Sequence, residues 1–431
     1  MTEPGMTEPG MADPGMADPG MTPRGRAALA FGSTARWASR ITGRGAGAMI
    51  GGLVAMTLDP SILRQLGAGR RCAIITGTNG KSTTTGMVAA ALSALGSVAT
   101  NGEGANMDAG LVAALSADRG ATLAALEVDE MHVPHVSDAV NPAVIVLLNL
   151  SRDQLDRVGE INHIERTLRT GLSRHPGAVV VANCDDVLMS SAAYDCPHVV
   201  WVAAGGGWSG DSVSCPRSGE VIVREGRNWH SSGTNFRRPA PQWWFDDETL
   251  YGPNGLALSM RLALPGSVNR GNAAQAVAAA VAMGADPAAA VAAVCGVEEV
   301  AGRYRTVRIG DKHTARLLLA KNPAGWQEAL SMVNKTAAGV VIAVNGQVPD
   351  GEDLSWLWDV RFEHFGGTAV VAAGERGTDL AVRLGYAGVE HSLVHDTVAA
   401  VESCSPGHVE VVANYTAFLQ LQRALGRAGA R

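Results

Sequence analysis

The sequence predicts an α/β fold in two units: a parallel sheet with flanking helices, then a smaller α/β domain at the C-terminus. Three observations predict it. Short apolar runs alternate with helix-like segments from Arg71 to Ala182, the pattern of buried parallel strands and their crossover helices. A second cycle of the same alternation starts near Gly302. The polar clusters of the first half each follow an apolar run, where open parallel sheets collect their ligands.

A chain of 431 residues, 46% hydrophobic and 18% charged, is long enough for roughly two or three buried cores. The 35 Lys+Arg against 41 Asp+Glu leave a formal net charge of −6, so nothing marks a nucleic-acid binder. The six cysteines (Cys72, Cys184, Cys196, Cys215, Cys295, Cys404) show no CxxC pairing. That suits a reducing compartment, and a cytoplasmic protein is expected.

In chain order, residues 1–23 open with the repeat "MTEPG MTEPG MADPG MADPG", too rich in Pro and Gly to pack and expected to be disordered. From Met21 to Leu58 there is no Asp or Glu, while Arg24, Arg26, Arg36, Arg40 and Arg44 punctuate small and apolar residues. This lead reads as a transit peptide, a basic surface helix or a solvated helix entering the domain. Its apolar piece "AGAMIGGLVAMTL" is shorter than the roughly 20 residues a membrane span needs.

Strands are expected at "CAII", "TLAALEV", "AVIVLLNL" and "GAVVVAN", with a helix at "STTTGMVAAALSALG". Between about 196 and 256 the apolar periodicity fades into a Gly-, Ser- and Trp-rich stretch, expected to be an inserted loop or a small β subdomain. An Ala-rich helical region follows. The second cycle comprises "ARLLLA", "GVVIAV", "TAVVAAG" and "HVEVVAN". The boundary is placed near 298, giving domains 24–298 and 299–431.

The chemistry starts at "ITGTNGKSTTT", Ile75–Thr85. Gly77 and Gly80 let the backbone turn so that its N–H groups and the next helix N-terminus face an anion. Lys81 adds a mobile positive charge, and Ser82 or Thr83 a hydroxyl for Mg²⁺. Only two residues separate these glycines, where the common P-loop has four. "LEVDE" puts Glu127 at a strand end, where a carboxylate can hold Mg²⁺ or orient a nucleophile. "NLSRDQLD" puts Asn149, Arg152, Asp153 and Asp156 at another. Arg152 suits a transferring phosphoryl group; the bland alternative is a helix cap with surface ion pairs.

Together these pieces resemble the Mur ligase family, ATP-dependent enzymes that join amines to carboxylates of peptidoglycan precursors. "TGTNGKST" looks like that family's phosphate loop, Gly77, Thr78, Asn79, Gly80, Lys81, Ser82 and Thr83. "GSVNRGNAAQA" resembles its Asn-rich helix start, implying adenine contacts from Asn269 and Asn272, and "GRY" at Gly302–Tyr304 its domain junction, with Arg303 on the nucleotide. "NGEGANMDAGL", "LLNLSRDQLDRVGEI", "LLLAKNPAGW", "DGEDLSWLWDVRFE" and "ANYTAF" are similar to the MurT group within that family.

The resemblance implies a Mur ligase central ATP-binding domain and a Rossmann-like C-terminal domain. It also implies ATP and Mg²⁺ as cofactors, Ser82 and Glu127 holding the metal. The implied reaction is amidation of the D-glutamate α-carboxylate of lipid II through an acyl phosphate, with Lys81, Glu127 and Arg152 catalytic. No cysteine sits in a Gly-x-Cys-x-Gly elbow, so ammonia must come from another chain. The resemblance names it as a GatD-type glutamine amidotransferase subunit in a heterodimer, whose orienting acid would be Asp353 of this chain. Asp350, Asp353 and Asp359 also read as ordinary turn caps, and Trp356 and Trp358 as core or partner interface.

MurT proteins often carry a four-cysteine zinc ribbon. Here the first knuckle is degenerate, "CPRSG" from Cys215, and "SSGTNFRRP" replaces the second. Cys215 and His230 fall short of four ligands, so no zinc is expected and tryptophans should hold the insert. The basic lead fits peripheral contact with the inner face of an anionic membrane. Two other readings compete: a stand-alone Mur or folylpolyglutamate-type amino-acid ligase, and a non-catalytic nucleotide-binding scaffold.

Overall fold

The computed structural model describes residues 21–41, 48–101, 105–152, 160–206, 208–297, 304–365 and 368–428. The repeat, Arg44, Asp153, Asp156, Arg303 and the expected boundary near 298 lie outside them.

The Arg-rich lead forms α1 (Pro23–Ile41) and α2 (Ala48–Leu58). They pack backbone to backbone at two glycines, for a Cβ on Gly32 would stand 2.5 Å from the Gly51 carbonyl oxygen. Ala28 and Leu29 face inward, but Phe31, Trp37, Met49, Ile50, Leu53 and Leu58 remain exposed. No helix among the described residues is long and apolar enough to cross a membrane.

After α3 (Ile62–Gly67) comes the main sheet. Its strands are β1 (Arg71–Thr76), β2 (Val98–Thr100), β3 (Leu123–Glu127), β4 (Val144–Leu147), β5 (Val179–Asn183) and β6 (Val199–Ala203). The intervening helices are α4 (Lys81–Leu92), α5 (Asp108–Ala117), α6 (Val133–Val140), α7 (Glu160–Ser173) and α8 (Val187–Ala193). These strands pair in parallel in the order β2-β3-β1-β4-β5-β6. β3 and β4 are buried at every position, which only a sheet covered on both faces allows. Side chains alternate across it: Ile74, Leu126 and Ile145 enter one core, and Ala73, Ile75, Ala125 and Val146 the other.

The stretch expected to be an insert is divided between two structures. β6 and then β9 (Trp243–Asp246), β10 (Thr249–Gly252) and β11 (Leu256–Ser259) extend the main sheet, β9 parallel to β6 and the last two antiparallel. Between them the hairpin of β7 (Ile222–Glu225) and β8 (Asn228–Ser231) stands apart. Cys215, Ile222, Trp229, Phe236 and Val187 form a small core beneath it. Trp229 packs on Phe236 at 5.0 Å and donates its indole N–H to the Cys184 carbonyl at 3.0 Å. His230 is exposed.

The Ala-rich region gives α9 (Ser267–Ala282) and α10 (Pro287–Cys295), which cover the same face as α4. The second sheet comprises β12 (Tyr304–Ile309), β13 (His313–Leu319), β14 (Gly339–Ala343), β15 (Val370–Ala373), β16 (His391–Leu393) and β17 (Gly407–Ala413). Its order is β12-β13-β17-β14-β15-β16, parallel except for β12. Its helices are α11 (Pro323–Met332), α12 (Gly377–Tyr386), α13 (Thr397–Glu402) and α14 (Tyr415–Ala428). Trp356 is buried and stacks on Trp326 at 5.3 Å, whereas Trp358 is exposed.

Candidate active site

The loop between β1 and α4 turns at Gly77 (φ 143°) and Gly80 (φ 84°), left-handed angles that glycine adopts without strain. Space forbids a side chain as well. A Cβ at Gly77 would sit 2.8 Å from Leu148 Cβ, and one at Gly80 would sit 2.9 Å from Asn272 Oδ1. Gly80 is the N-cap of α4, and no side chain caps that helix. Its first N–H groups are therefore offered, with the helix dipole, to an anion.

The strand end after β4 braces the loop. Thr78 N–H donates to the Asn149 carbonyl at 2.9 Å, and Asn79 N–H to Asn149 Oδ1 at 2.9 Å. The Asn149 amide in turn donates to the Asn79 carbonyl at 2.9 Å. Thr78 Oγ1 donates to the Ser151 carbonyl at 3.1 Å and accepts from Ser151 N–H at 3.0 Å. Lys81 is buried; its Nζ donates to the Gly77 carbonyl at 2.5 Å and reaches Glu130 Oε2 at 3.4 Å. Ser82 is half-buried and Thr83 buried.

β1 and β3 are neighbours in register, Ile75 opposite Glu127, so Glu127 ends its strand beside the loop. Asn101 fixes its backbone, accepting from Glu127 N–H at 2.7 Å and donating to its carbonyl at 2.7 Å. The carboxylate is buried. Oε1 has a 3.5 Å contact from the Asn106 amide, and Oε2 has no hydrogen-bond partner among the described residues. An orphaned buried carboxylate oxygen is costly unless a cation meets it. The Glu127 carboxylate thus fits a hard divalent ion such as Mg²⁺.

Arg152 is occupied on both sides. Its Nε lies 2.5 Å from Asp211 Oδ1, its backbone N–H donates to Asp211 Oδ2 at 2.8 Å, and its Nη2 lies 3.5 Å from Asp359 Oδ2. Trp208 donates to the same Asp211 at 2.8 Å. Asp359 belongs to the second domain, so Arg152 spans the junction.

A second bridge joins the two domains at the loop itself. Asn79 Nδ2 donates to Asn322 Oδ1 at 3.2 Å, and Asn322 Nδ2 to Asn79 Oδ1 at 3.3 Å. Asn322 also caps α11, accepting from Gly325 N–H at 2.8 Å. Beside these bridges lies a cavity of about 650 Å³, lined from the first domain by Asn149, Phe245, Asn272 and Gln275 and from the second by Gln327 and Lys335. That volume suits a drug- or nucleotide-sized ligand. Asn269 and Asn272 are both buried at the start of α9; Asn272 lines the cavity, and Asn269 donates to the Pro265 carbonyl at 2.6 Å. Asp186 is also in the wall, and burial pushes its carboxyl up to about 6 against hydrogen bonds from the Met189 and Leu150 backbone.

The structure thus gathers Gly77 to Thr83, Glu127, Asn272 and Arg152 around one junction. Asp353 stands elsewhere, exposed on the second domain, where the Ser355 backbone N–H donates to it at 2.8 Å and holds its carboxyl below the usual range. Asp350 is buried and binds the Thr416 N–H and hydroxyl, a packing role. Sequence reasoning passed over Asp211 and Asn322. Asp211 lies in a stretch without periodicity, but "NPAG" carries a helix-start signature, Asn followed by Pro at the first helical position.

Residues 75–280 match the model of the Mur ligase middle domain, and residues 319–418 that of the MurT ligase C-terminal domain. The chain is 28% identical over 417 residues to the lipid II isoglutaminyl synthase (glutamine-hydrolyzing) subunit MurT of Streptococcus pneumoniae, covering 88% of this chain and 93% of that one. It is 27% identical over 429 residues to the subunit of the same name from Staphylococcus aureus, covering 93% and 98%. Among solved structures, a pseudomurein peptide ligase type C from Methanothermus fervidus superposes with a TM-score of 0.65 at 18% identity, over 83% of this chain and 79% of that one. MurF from Acinetobacter baumannii does so at 0.62 and 18% identity, over 88% and 81%. The chain belongs to the Mur ligase family and joins that family's middle domain to the C-terminal domain of MurT subunits.

Proposed function

We propose that this chain is the synthetase subunit of a lipid II isoglutaminyl synthase. One observation carries the reading: an uncapped, glycine-turned helix start with Lys81 lies beside the orphaned Glu127 carboxylate and under a second domain of MurT type. ATP would lie with its phosphates on the α4 N-terminus and its base in the cavity near Asn272, with Asn269 and Arg303 as further nucleotide contacts. Ser82 and Glu127 would hold Mg²⁺, which would supply charge neutralisation for the phosphates.

The D-glutamate α-carboxylate of the stem peptide attacks the γ-phosphorus in line, the bond to ADP breaks, and an acyl phosphate forms. Ammonia then attacks the acyl carbon, phosphate leaves, and a proton is lost to give the amide. Lys81 turns from the Thr78 carbonyl and Glu130, both 3.4 Å away, to the transferring group. Arg152 reaches the same group when Asp359 lets go of it. Such preorganised charge typically contributes several kcal/mol to the barrier reduction.

Ammonia comes from a GatD-type glutaminase bound to the second domain. Exposed and held ionised by Ser355, Asp353 is available to orient that partner's histidine. The lipid-linked substrate accounts for the first two helices, where exposed apolar side chains line a shallow trough between α1 and α2 in a stretch without a single Asp or Glu. That surface suits the inner face of an anionic membrane.

The test supplies purified chain with lipid II, MgATP and ammonium chloride, and follows ADP and product mass. Ammonium replaces the glutaminase. The expected result is stoichiometric ADP and amide, both reduced at least a hundredfold in Lys81→Ala. ADP formation driven by an amino acid rather than ammonium would move the chain to the amino-acid ligases.

A further inference from the structure

We propose a transition-metal site at Asp108, His132 and His135, distinct from the magnesium site and built on neighbouring segments. Asp108 opens α5, His132 is the N-cap of α6, and His135 lies three residues further on, so both imidazoles meet one carboxylate. His132 Nδ1 is 3.2 Å from Asp108 Oδ1. His135 Nε2 is 2.9 and 2.8 Å from Oδ1 and Oδ2. One donor atom from each residue lies within 4.8 Å of the others. Donors bound to one ion at about 2.0–2.2 Å stand roughly 3–4 Å apart, so small rotations bring all three onto a shared centre.

The donor set chooses the ion. Two imidazoles and a carboxylate suit Zn²⁺, Co²⁺ or Fe²⁺, whereas Mg²⁺ takes oxygen ligands. The side chains of His132, Asp108 and His135 are 28%, 22% and 50% exposed, so an ion can enter from solvent and keep positions for water. The two rings stand edge to face with centroids 5.3 Å apart, both directed at the one carboxylate.

The ion would join two segments that shape the phosphate site. Asn106, which contacts Glu127, precedes Asp108 by two residues, and Glu130, the partner of Lys81, precedes His132 by two. It therefore acts as a clamp on the mouth of the site, whatever acceptor the ligase uses.

Untagged full-length chain titrated with Co²⁺ tests this. We expect one equivalent to give the visible absorption of nitrogen-ligated Co²⁺, bleached by Zn²⁺. Asp108→Asn and His135→Ala should each weaken binding at least tenfold, while Glu127→Gln keeps the band. Zn²⁺ should raise the wild-type melting temperature and not that of the variants, with circular dichroism confirming that they fold. If either does not fold, His132→Ala takes its place. Absence of the band in the wild type, its persistence in both site variants, or its loss in Glu127→Gln alone would each overturn the proposal.

Discussion

At Gly80 a single methyl group is enough to break the phosphate loop. The backbone is left-handed (φ 84°), and an added Cβ would meet the Asn272 amide at 2.9 Å. Gly80→Ala is expected to cost about 1–2 kcal/mol of stability and to lower ADP affinity at least tenfold, read by calorimetry. Asp353 belongs to the opposite class, exposed and free of packing duties. With a GatD-type partner present, Asp353→Asn should lower glutamine-driven amidation more than tenfold and leave ammonium-driven amidation unchanged; equal loss of both would place Asp353 in the synthetase chemistry. The loop was legible because its glycines, lysine and hydroxyls are consecutive and their roles local. Asn322 was not, since its partner Asn79 is 243 residues away and no local pattern reports such a contact.

Among elements, the central strands were the easiest to read. "AVIVLL" is apolar throughout because β4 is buried on both faces, and its shortness suits a strand better than a helix. The place of β9 and β10 in the main sheet escaped because they are short, half-exposed and aromatic at Trp243, Trp244 and Tyr251, so it depends on pairing rather than composition. The ribbon-like insert shows the same limit. Its missing thiolates were plain in the sequence, but the packing of Cys215 with Trp229 and Phe236 needed the fold. At this scale α1 and α2 make a prediction of their own. Phe31→Asp with Leu53→Asp should abolish co-sedimentation with anionic vesicles while leaving the melting temperature within a few degrees, because both side chains are more than half exposed. Unchanged sedimentation would remove the membrane role.

In the whole molecule, the Asn79–Asn322 amide pair and the Arg152–Asp359 contact tie the domains across the site. Both domains were foreseen from the repeated alternation of strands and helices, but their docking was not, because it depends on side chains that meet only after each sheet is built. The docking gives the chemistry its setting: the phosphate loop belongs to one domain, and part of the cavity wall to the other. The central claim is that this junction transfers a phosphoryl group to a carboxylate. Lipid II carrying ¹⁸O in its D-glutamate α-carboxylate tests it directly, with MgATP and ammonium as the other reactants. The account predicts that each amide formed delivers one ¹⁸O to the released inorganic phosphate. Amide formed with phosphate free of ¹⁸O would contradict it.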